Sequence, residues 1–296
     1  MKLNKKISEN ILYIVATPIG NIEDITVRAI NILKQASLVA AEDTRRTSAL
    51  FSHYNITTPL ISYYEQNEDK RSDILIRKLK NGASVALVSD AGTPLISDPG
   101  YRLVKKAVRN NIKIVPIPGV SAITASLSAA ALPTDSFFFK GFMPKKKQKR
   151  IEVIKELKEY KATLIFYESP MRIKNFIKEL LEIIGDRDAV LAREITKTYE
   201  EFIRGNLSDI LNNLNVRDSV KGECTLLVAG KTEENLTDDL FLKELEHLLL
   251  KDNKRLSEAV KDITDKYKIS KKIVYDKAVK IKKELDTTLE DKQING

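Results

Sequence analysis

Short apolar runs alternate with amphipathic segments along the first 135 residues of the chain. The apolar runs have the length and the aliphatic, β-branched content of buried strands. They cover Ile11 to Ala16, Leu38 to Ala41, Leu60 to Ser62, Ala83 to Val88 and Ile112 to Ile117. Apolar residues recur at helical spacing over Ile25 to Gln35, Arg45 to Tyr54, Asp69 to Lys80, Tyr101 to Asn110 and Pro118 to Ala131. This alternation predicts an α/β domain with a parallel sheet over residues 1–135.

The alternation continues, and it predicts a second α/β domain over residues 136–232. The predicted strands are Phe137 to Gly141, Thr163 to Tyr167, Asp188 to Arg193, Glu200 to Gly205 and Glu223 to Gly230. The predicted helices are Lys149 to Tyr160, Arg172 to Ile184 and Leu207 to Leu214. The segment Lys231 to Asp238 is polar, and we predict a linker there.

No strand pattern follows the linker, and the remaining residues predict a small helical bundle over residues 239–286. Its helices are Phe241 to Lys251, Leu256 to Tyr267 and Ser270 to Leu285. The last two are joined by the short turn Lys268-Ile269, as in a helix-turn-helix arrangement. Residues 287–296 are predicted to be a disordered tail.

Composition narrows the class of protein. The chain has 296 residues, of which 43% are hydrophobic and 31% charged, as in soluble globular proteins. The single Cys224 excludes an intrachain disulfide, and His53 and His247 are too far apart in sequence to suggest a metal cluster. No apolar stretch approaches the roughly 18 to 20 residues of a membrane span. We therefore expect a cytoplasmic protein with no metal and no membrane association.

Basic residues are in excess, and part of that excess is local. Fifty Lys and Arg against 41 Asp and Glu give a formal charge of +9, which favours an anionic partner, although a Lys-rich composition can also be solvated surface. Lys140 to Arg150 contains Lys145, Lys146 and Lys147 and no acid, directly after an aromatic strand. A basic loop at a strand end is a candidate contact for a polyanion.

Three turn-rich segments follow predicted strands of the first sheet. They are Thr17 to Ile25, Ser89 to Tyr101 and Pro118 to Ala122, and the second contains Gly and Pro at positions that preshape the backbone. Because parallel strands share one carboxyl edge, these loops should converge there, where open α/β sheets bind ligands. Neither G-x-G-x-x-G nor a P-loop motif occurs, so dinucleotide dehydrogenases and P-loop NTPases lose their main sequence support.

Charged residues end several other predicted strands. Glu42-Asp43-Thr44-Arg45 could take a proton and hold a phosphate, or could simply cap a helix with a salt bridge. Phe166 to Arg172 and Arg193 to Lys197 repeat this pattern in the second domain, which favours a polar cleft between the domains. No nucleophile elbow and no metal-ligand spacing occurs, so transfer from an activated donor fits better than hydrolysis.

Together these motifs resemble the tetrapyrrole methylase superfamily and, within it, the ribosomal RNA small subunit methyltransferase I family. The motifs occur in that family's order: Thr17 to Asn21, Glu42 to Arg45, Ser89 to Tyr101, Pro118 to Ala122, Phe166 to Pro170 and Arg193 to Lys197. The resemblance implies two α/β domains with a donor site in the cleft between them and a small C-terminal helical domain. It also implies S-adenosylmethionine-dependent 2′-O-methylation of a cytidine in the decoding region of 16S ribosomal RNA, by a protein that acts on RNA or the small subunit as a homodimer.

The resemblance also assigns candidate site residues by motif. The donor-binding residues would be Ser89, Asp90, Ala91, Gly92, Thr93, Ser121, Ala122, Tyr167, Ala192 and Thr225. The RNA-binding residues would be Asn21, Arg45, Lys145, Lys146, Lys147, Arg193 and Lys197, with the terminal helices also contacting the RNA backbone. Glu42, Asp43 and Glu168 are candidates for the base that removes the ribose hydroxyl proton, and the sequence does not choose among them.

Two other readings stay open at this stage. A methyltransferase of the same fold could act on a carbon of a tetrapyrrole, which is also anionic; the Glu42 to Arg45 motif, the basic loop and the terminal bundle favour the RNA branch. A non-catalytic RNA-binding assembly factor would use only charge and the helical bundle, and it would not bind the methyl donor.

Overall fold

The computed structural model describes residues 10–250, 254–267, 269–279 and 281, with the side chains of residues 233–240 and 250 excepted. Five parallel strands form its first sheet, in the order β3-β2-β4-β1-β5. They are β1 (Ile11–Val15), β2 (Leu38–Ala41), β3 (Leu60–Ser62), β4 (Val85–Val88) and β5 (Lys113–Ile117). Helices α1 (Val27–Gln35), α2 (Thr44–His53), α3 (Glu68–Lys80), α4 (Tyr101–Arg109) and α5 (Ala122–Ser128) follow them. The predicted parallel sheet is confirmed, with each strand end within two residues of its predicted position.

Both faces of the first sheet are buried, as a parallel sheet requires. Successive side chains of a strand point to opposite faces, so β1 contributes to two apolar clusters. Tyr13 and Val15 pack with α1 and α2 residues such as Leu33 and Phe51, whereas Leu12 packs with α3 and α4 residues. Helices on both faces leave the carboxyl edge of the sheet free to present its loops.

The second sheet is mixed, in the order β6-β7-β10-β8-β9. Its strands are β6 (Phe137–Phe142), β7 (Thr163–Glu168), β8 (Asp188–Arg193), β9 (Glu201–Asn206) and β10 (Cys224–Val228). The pair β6 and β7 is parallel, and the other neighbours are antiparallel. Helices α6 (Lys147–Leu157), α7 (Ile173–Ile184) and α8 (Leu207–Asn215) pack on one face of this sheet.

A bulge interrupts β6. Phe139 pairs with Ile165 and Gly141 with Phe166, so residue 140 has no partner in β7. The extra residue shifts the alternation of side chains by one position. Phe139 and Phe142 therefore lie on the same face, and both rings contact the ring of Tyr167, at centroid distances of 4.9 and 5.7 Å.

The described chain divides into two compact units on either side of Gly230. The second unit contains α9 (Glu233–Leu250), α10 (Leu256–Tyr267) and a helical segment at 271–279, with a core of its own that includes Phe241, Val260, Ile263 and Val274. The boundary predicted at residues 135 and 136, inside the first unit, stays a prediction.

The linker predicted over Lys231 to Asp238 is wrong from Glu233 onwards, because α9 begins there. Its polar residues were taken for a loop, but a polar sequence is also compatible with the first turns of a helix. Lys251, Lys268 and residues 282–296, which include the predicted tail, lie outside the described residues. Within the described part of the chain, no helix combines the length and apolar character needed to cross a bilayer.

Candidate active site

A cavity of about 390 Å³ opens at the carboxyl edge of the first sheet, in the size range of small-molecule sites. The loops after β1, β2, β4 and β5 line one side of it, and β6, β7 and β10 with their adjoining residues line the other. The lining residues are Ile19, Glu42, Arg46, Asp90, Ala91, Gly92, Thr93, Ile96, Ser97, Asp98, Ser121, Ala122, Phe142, Tyr167, Glu168, Ser169, Pro170, Glu223, Cys224 and Thr225. Convergence of the three turn-rich loops at one edge is thus observed.

The loop after β4 is fixed to the loop after β1. The backbone groups of Thr17 and Gly92 exchange two hydrogen bonds of 2.9 Å, and the Thr17 hydroxyl donates to the Ser89 carbonyl at 3.1 Å. Gly92 has a φ of 79°, which a glycine adopts without strain. Leu95 and Ser97 also have positive φ values, of 75° and 67°. Such non-glycine conformations are held by surrounding structure and cluster at functional sites.

Five residues with carboxyl groups line this cavity: Glu42, Asp90, Asp98, Glu168 and Glu223. The Asp90 N–H donates to the Glu42 carboxylate at 3.3 Å, and the Asp43 N–H donates to the Asp90 carboxylate at 3.0 Å. The Arg46 guanidinium lies 3.4 Å from Asp90. Burial raises the pKa of Glu42, and burial together with the nearby Glu42 carboxylate raises the pKa of Asp98 to about 7. A cavity of this kind favours a ligand that carries positive charge.

The carboxylates of Asp43 and Glu168 each form an ion pair with an arginine. Asp43 caps α2 and binds Arg45 through two side-chain hydrogen bonds, which lower the pKa of Asp43 to about 2; it does not line the cavity. Glu168 lines the cavity, but its side chain is only 1% exposed and accepts two 2.7 Å hydrogen bonds from Arg172. It also accepts from the Ser169 N–H at 2.7 Å.

The donor-site residues predicted in the second domain are neighbours across its sheet. Thr225 pairs with Tyr167 on one side and with Ala192 on the other. Tyr167 and Thr225 line the cavity, whereas Ala192 is fully buried in a cluster with Ile123 and Leu127. Ser89 lines an adjoining cavity instead. The remaining predicted donor residues, from Asp90 to Thr93 with Ser121 and Ala122, all reach the main cavity.

Two of the predicted RNA-binding residues, Arg193 and Lys197, are bound by glutamates. Arg193 is held by Glu201 at 3.0 Å and by the Lys221 carbonyl at 2.9 Å. Lys197 is held by Glu194 at 2.8 Å and by Glu223 at 3.0 Å.

Asn21, Arg45 and the lysines at 145–147 lie at the surface. The Asn21 side chain caps a short 3-10 turn, Ile22–Asp24, and its N–H donates to the Thr196 hydroxyl at 2.9 Å. The side chain of Arg45 is 90% exposed, and Lys145, Lys146 and Lys147 are exposed at the start of α6.

Sequence reasoning missed several cavity residues. They are Ile19, Arg46, Ile96, Ser97, Asp98, Phe142, Ser169, Pro170, Glu223 and Cys224. Asp98 and Ser97 belong to the turn-rich Ser89 to Tyr101 segment, so their place in the sequence was a usable signal. Phe142 reaches the cavity because of the bulge in β6, for which the sequence offered no clear signal.

A second cavity, of about 350 Å³, adjoins the first. It is lined by Thr17, Pro18, Ile19, Gly20, Ile22, Arg46, Thr47, Ala49, Leu50, Ser89, Asp90, Ala91, Lys197 and Glu223. Five of these residues also line the first cavity: Ile19, Arg46, Asp90, Ala91 and Glu223. Among the described residues, no group of three or more His, Cys, Asp or Glu side chains is arranged to hold a metal ion.

Comparison with known proteins identifies the family. The family described as tetrapyrrole (corrin/porphyrin) methylases matches residues 11–211. A Halalkalibacterium halodurans protein named ribosomal RNA small subunit methyltransferase I is 44% identical over 270 residues, which are 89% of this chain and 93% of that protein.

Solved structures share the fold at low identity. A diphthine synthase has a TM-score of 0.60 at 20% identity, covering 75% of this chain and 90% of its own. A Thermus thermophilus uroporphyrin-III C-methyl transferase, complexed with S-adenyl homocysteine, has a TM-score of 0.53 at 19% identity, covering 74% and 96%. On the strength of the matched residues and the close relative, this chain belongs to the tetrapyrrole methylase family and, within it, to the ribosomal RNA small subunit methyltransferase I family.

Proposed function

We propose that the protein transfers a methyl group from S-adenosylmethionine to the ribose 2′-oxygen of a cytidine in the decoding region of 16S ribosomal RNA. The observation that carries the proposal is the main cavity, in which five carboxyl groups and several apolar side chains lie at the strand ends of a methylase fold. Relatives named as small subunit ribosomal RNA methyltransferases support RNA as the substrate.

The cavity has the chemistry that the donor requires. Among its carboxyl groups, those of Glu42, Asp90 and Asp98 suit the positive charge of the donor. Gly92 lets the backbone approach closely because it has no side chain. Ile96 and Phe142 add apolar surface. The donor supplies a sulfonium-bound methyl group, which leaves a neutral thioether behind when an oxygen attacks in line. Most of the catalytic effect required of the protein is therefore alignment of the two substrates.

The ribose hydroxyl must lose its proton during transfer, and we propose that Glu42 accepts it. Burial raises the pKa of Glu42, which makes its carboxylate a better base than an exposed one. Asp43 is a poor base, because Arg45 lowers its pKa to about 2. Glu168 is committed to Arg172 and to the Ser169 N–H. Both would have to give up these partners before receiving a proton.

The exposed basic side chains are proposed to hold the RNA. Arg45 and Lys145 to Lys147 extend from the surface, where they can neutralise phosphates. Arg193 and Lys197 are instead proposed to position the loops around the cavity, because glutamates already bind both of them. We further propose that the protein works in the cytoplasm as a homodimer, as the superfamily resemblance implies; the molar mass from light scattering tests the dimer.

Single-turnover transfer of labelled methyl tests this proposal. Small subunits that lack the modification are incubated with the protein and labelled donor, and the modified nucleotide and atom are mapped. Label on the ribose 2′-oxygen of a decoding-region cytidine is expected. Glu42→Gln should slow transfer by roughly 10²- to 10⁴-fold, whereas Asp43→Asn and Glu168→Gln should have smaller effects. Label on a base carbon, or equal rates in all three variants, would overturn the corresponding assignment.

The same assay separates the two other candidate functions. Donor affinity without any transfer to RNA would favour a tetrapyrrole substrate, as for the uroporphyrin-III methyltransferase that shares the fold. RNA binding with no calorimetric affinity for S-adenosylmethionine or S-adenosylhomocysteine would favour a non-catalytic assembly factor.

A further inference from the structure

We infer that the second cavity receives the acceptor nucleotide, with its base against α2 and its ribose at the wall shared with the main cavity. This inference rests on the proposed function, because it assigns the acceptor of the same reaction. The observation behind it is that two cavities of about 390 and 350 Å³ adjoin each other at one sheet edge.

The shared wall places two ligands next to each other. Ile19, Arg46, Asp90 and Ala91 line both cavities, so a molecule in each would be separated by no more than these residues. Group transfer needs the reacting atoms within roughly 3 to 3.5 Å, which only adjoining sites can provide. Glu42 lines the main cavity, and its carboxylate accepts from the Asp90 N–H on this wall. The proposed proton acceptor is therefore next to the proposed position of the ribose.

The chemistry of the second cavity suits one nucleotide. Ile22, Ala49 and Leu50 offer an apolar surface to a base. Arg46 stands at the shared wall with a side chain that is 67% exposed, and its 3.4 Å contact with Asp90 is long enough for a phosphate to compete for the guanidinium. A cavity of this size admits a single nucleotide and excludes a duplex, so the target must leave the stack, as in other enzymes that act on one nucleotide.

Lys197 lines this cavity as a structural residue and not as a free cation. Its ammonium group is bound by Glu194 and Glu223, at 2.8 and 3.0 Å, so its charge is already balanced. The Asn21 N–H donates to the Thr196 hydroxyl next to it. The Asn21–Thr196 contact joins the loop after β1 to the loop after β8, and the two ion pairs fix Lys197 in the lining of the cavity.

Filling the cavity from α2 tests the inference in the full-length protein. Ala49 lines the cavity, and its neighbour Ser48 lines neither cavity although both residues are exposed on the same helix. Ala49→Leu and Ala49→Phe should lower the single-turnover rate of methyl transfer to small subunits progressively, by about 10- to 100-fold for Phe. S-adenosylhomocysteine affinity, measured by calorimetry, should stay within twofold of the wild type. Ser48→Phe should change neither quantity.

The possible outcomes are distinct. Transfer by Ala49→Phe at the wild-type rate would overturn the assignment of this cavity. Loss of S-adenosylhomocysteine affinity in Ala49→Leu and Ala49→Phe would also overturn it, because the two cavities would then not be separate sites. Absence of transfer by the wild-type protein would instead contradict the proposed function. Thermal melting of each variant checks that the exposed substitution leaves the fold intact, and Ala49→Leu, with a good helix former, provides the milder case.

Discussion

Asp98 differs from an ordinary aspartate of the main cavity in its pKa, which is raised to about 7. Burial contributes most to its raised pKa, and the Glu42 and Asp90 carboxylates add to it, while the Ser89 side chain opposes the shift by hydrogen bonding. The pKa of the Tyr167 hydroxyl is raised to about 12, mainly by burial and also by the charge of Asp98. With a pKa of about 7, Asp98 is half protonated in neutral solution.

We predict that binding of S-adenosylmethionine releases a proton from Asp98. A positive charge in the cavity favours the ionised carboxylate, so the pKa of Asp98 should fall on binding. At pH 7 the release should reach up to about half a proton per site, and it should vanish near pH 9, where Asp98 is already ionised. S-adenosylhomocysteine, whose sulfur is neutral, should release less. Calorimetry in buffers of different ionisation enthalpy measures the proton count.

Asp98→Asn should abolish this proton release while leaving the donor able to bind. Asp69→Asn is the matched control, because Asp69 is an exposed aspartate on α3 that does not line the cavity. The control should release protons as the wild type does. An unchanged proton count in Asp98→Asn would show that another group titrates.

The choice between neighbouring acids is where sequence reasoning reached its limit at the residue scale. Glu42 and Asp43 are adjacent, and their motif predicted both a base and a helix cap. The structure gives the capping role to Asp43, through a contact with Arg45 two residues away. Glu42 is oriented by the Asp90 N–H, 48 residues away in the chain. A contact of that range depends on how β2 and β4 pair, which local patterns do not specify.

At the element scale, the bulge in β6 shapes the cavity. Gly141 has a φ of 73°, and a Cβ atom there would lie 2.9 Å from the Ser97 hydroxyl of the cavity loop. The bulge thus sets the position of Phe142 and brings β6 close to the cavity loop at Ser97. The aromatic run within Phe137 to Gly141 predicted the strand but could not locate the extra residue, because a run without period-two alternation carries no register that an insertion would interrupt.

Gly141→Ala should therefore weaken donor binding as well as the fold. A side chain at positive φ costs about 1 to 2 kcal/mol, and the new methyl group would also displace Ser97. We expect S-adenosylhomocysteine affinity to fall roughly threefold to tenfold, equivalent to ~0.7 to 1.4 kcal/mol. Calorimetry and urea unfolding measure the two effects.

Gly185→Ala separates backbone strain from the contact with Ser97. Gly185 also has a positive φ, of 83°, but nothing lies within 4 Å of a Cβ atom placed there. The free energy of unfolding of this variant should fall by a similar amount, because alanine is strained at positive φ, and its donor affinity should not change. Equal losses of affinity in the two variants would mean that global destabilisation, and not the Ser97 contact, explains the result.

Across the whole molecule, the sequence predicted the architecture better than its boundaries. Buried strands are strongly apolar, and they were found within two residues in the first sheet. The start of α9 at Glu233 was missed because a polar segment without strand or core pattern can be either a loop or the first turns of a helix. Both cavities combine residues from well-separated segments, so their lining required the assembled fold.

The division of the chain at Gly230 leads to a prediction about its two binding activities. Every residue that lines the main cavity precedes Gly230, and the apolar core of the second unit is built from its own helices. A chain ending at Gly230 should thus bind S-adenosylhomocysteine within about twofold of the full-length affinity, a difference of ~0.4 kcal/mol.

The shortened chain should bind RNA more weakly and with a shallower salt dependence, because the basic side chains of the second unit, such as Lys271 and Lys272, would be lost. Lys271→Gln with Lys272→Gln in the full chain should reproduce part of that change in salt slope. If the shortened chain is folded but fails to bind S-adenosylhomocysteine, the donor site depends on the terminal helices and the two activities are not separable.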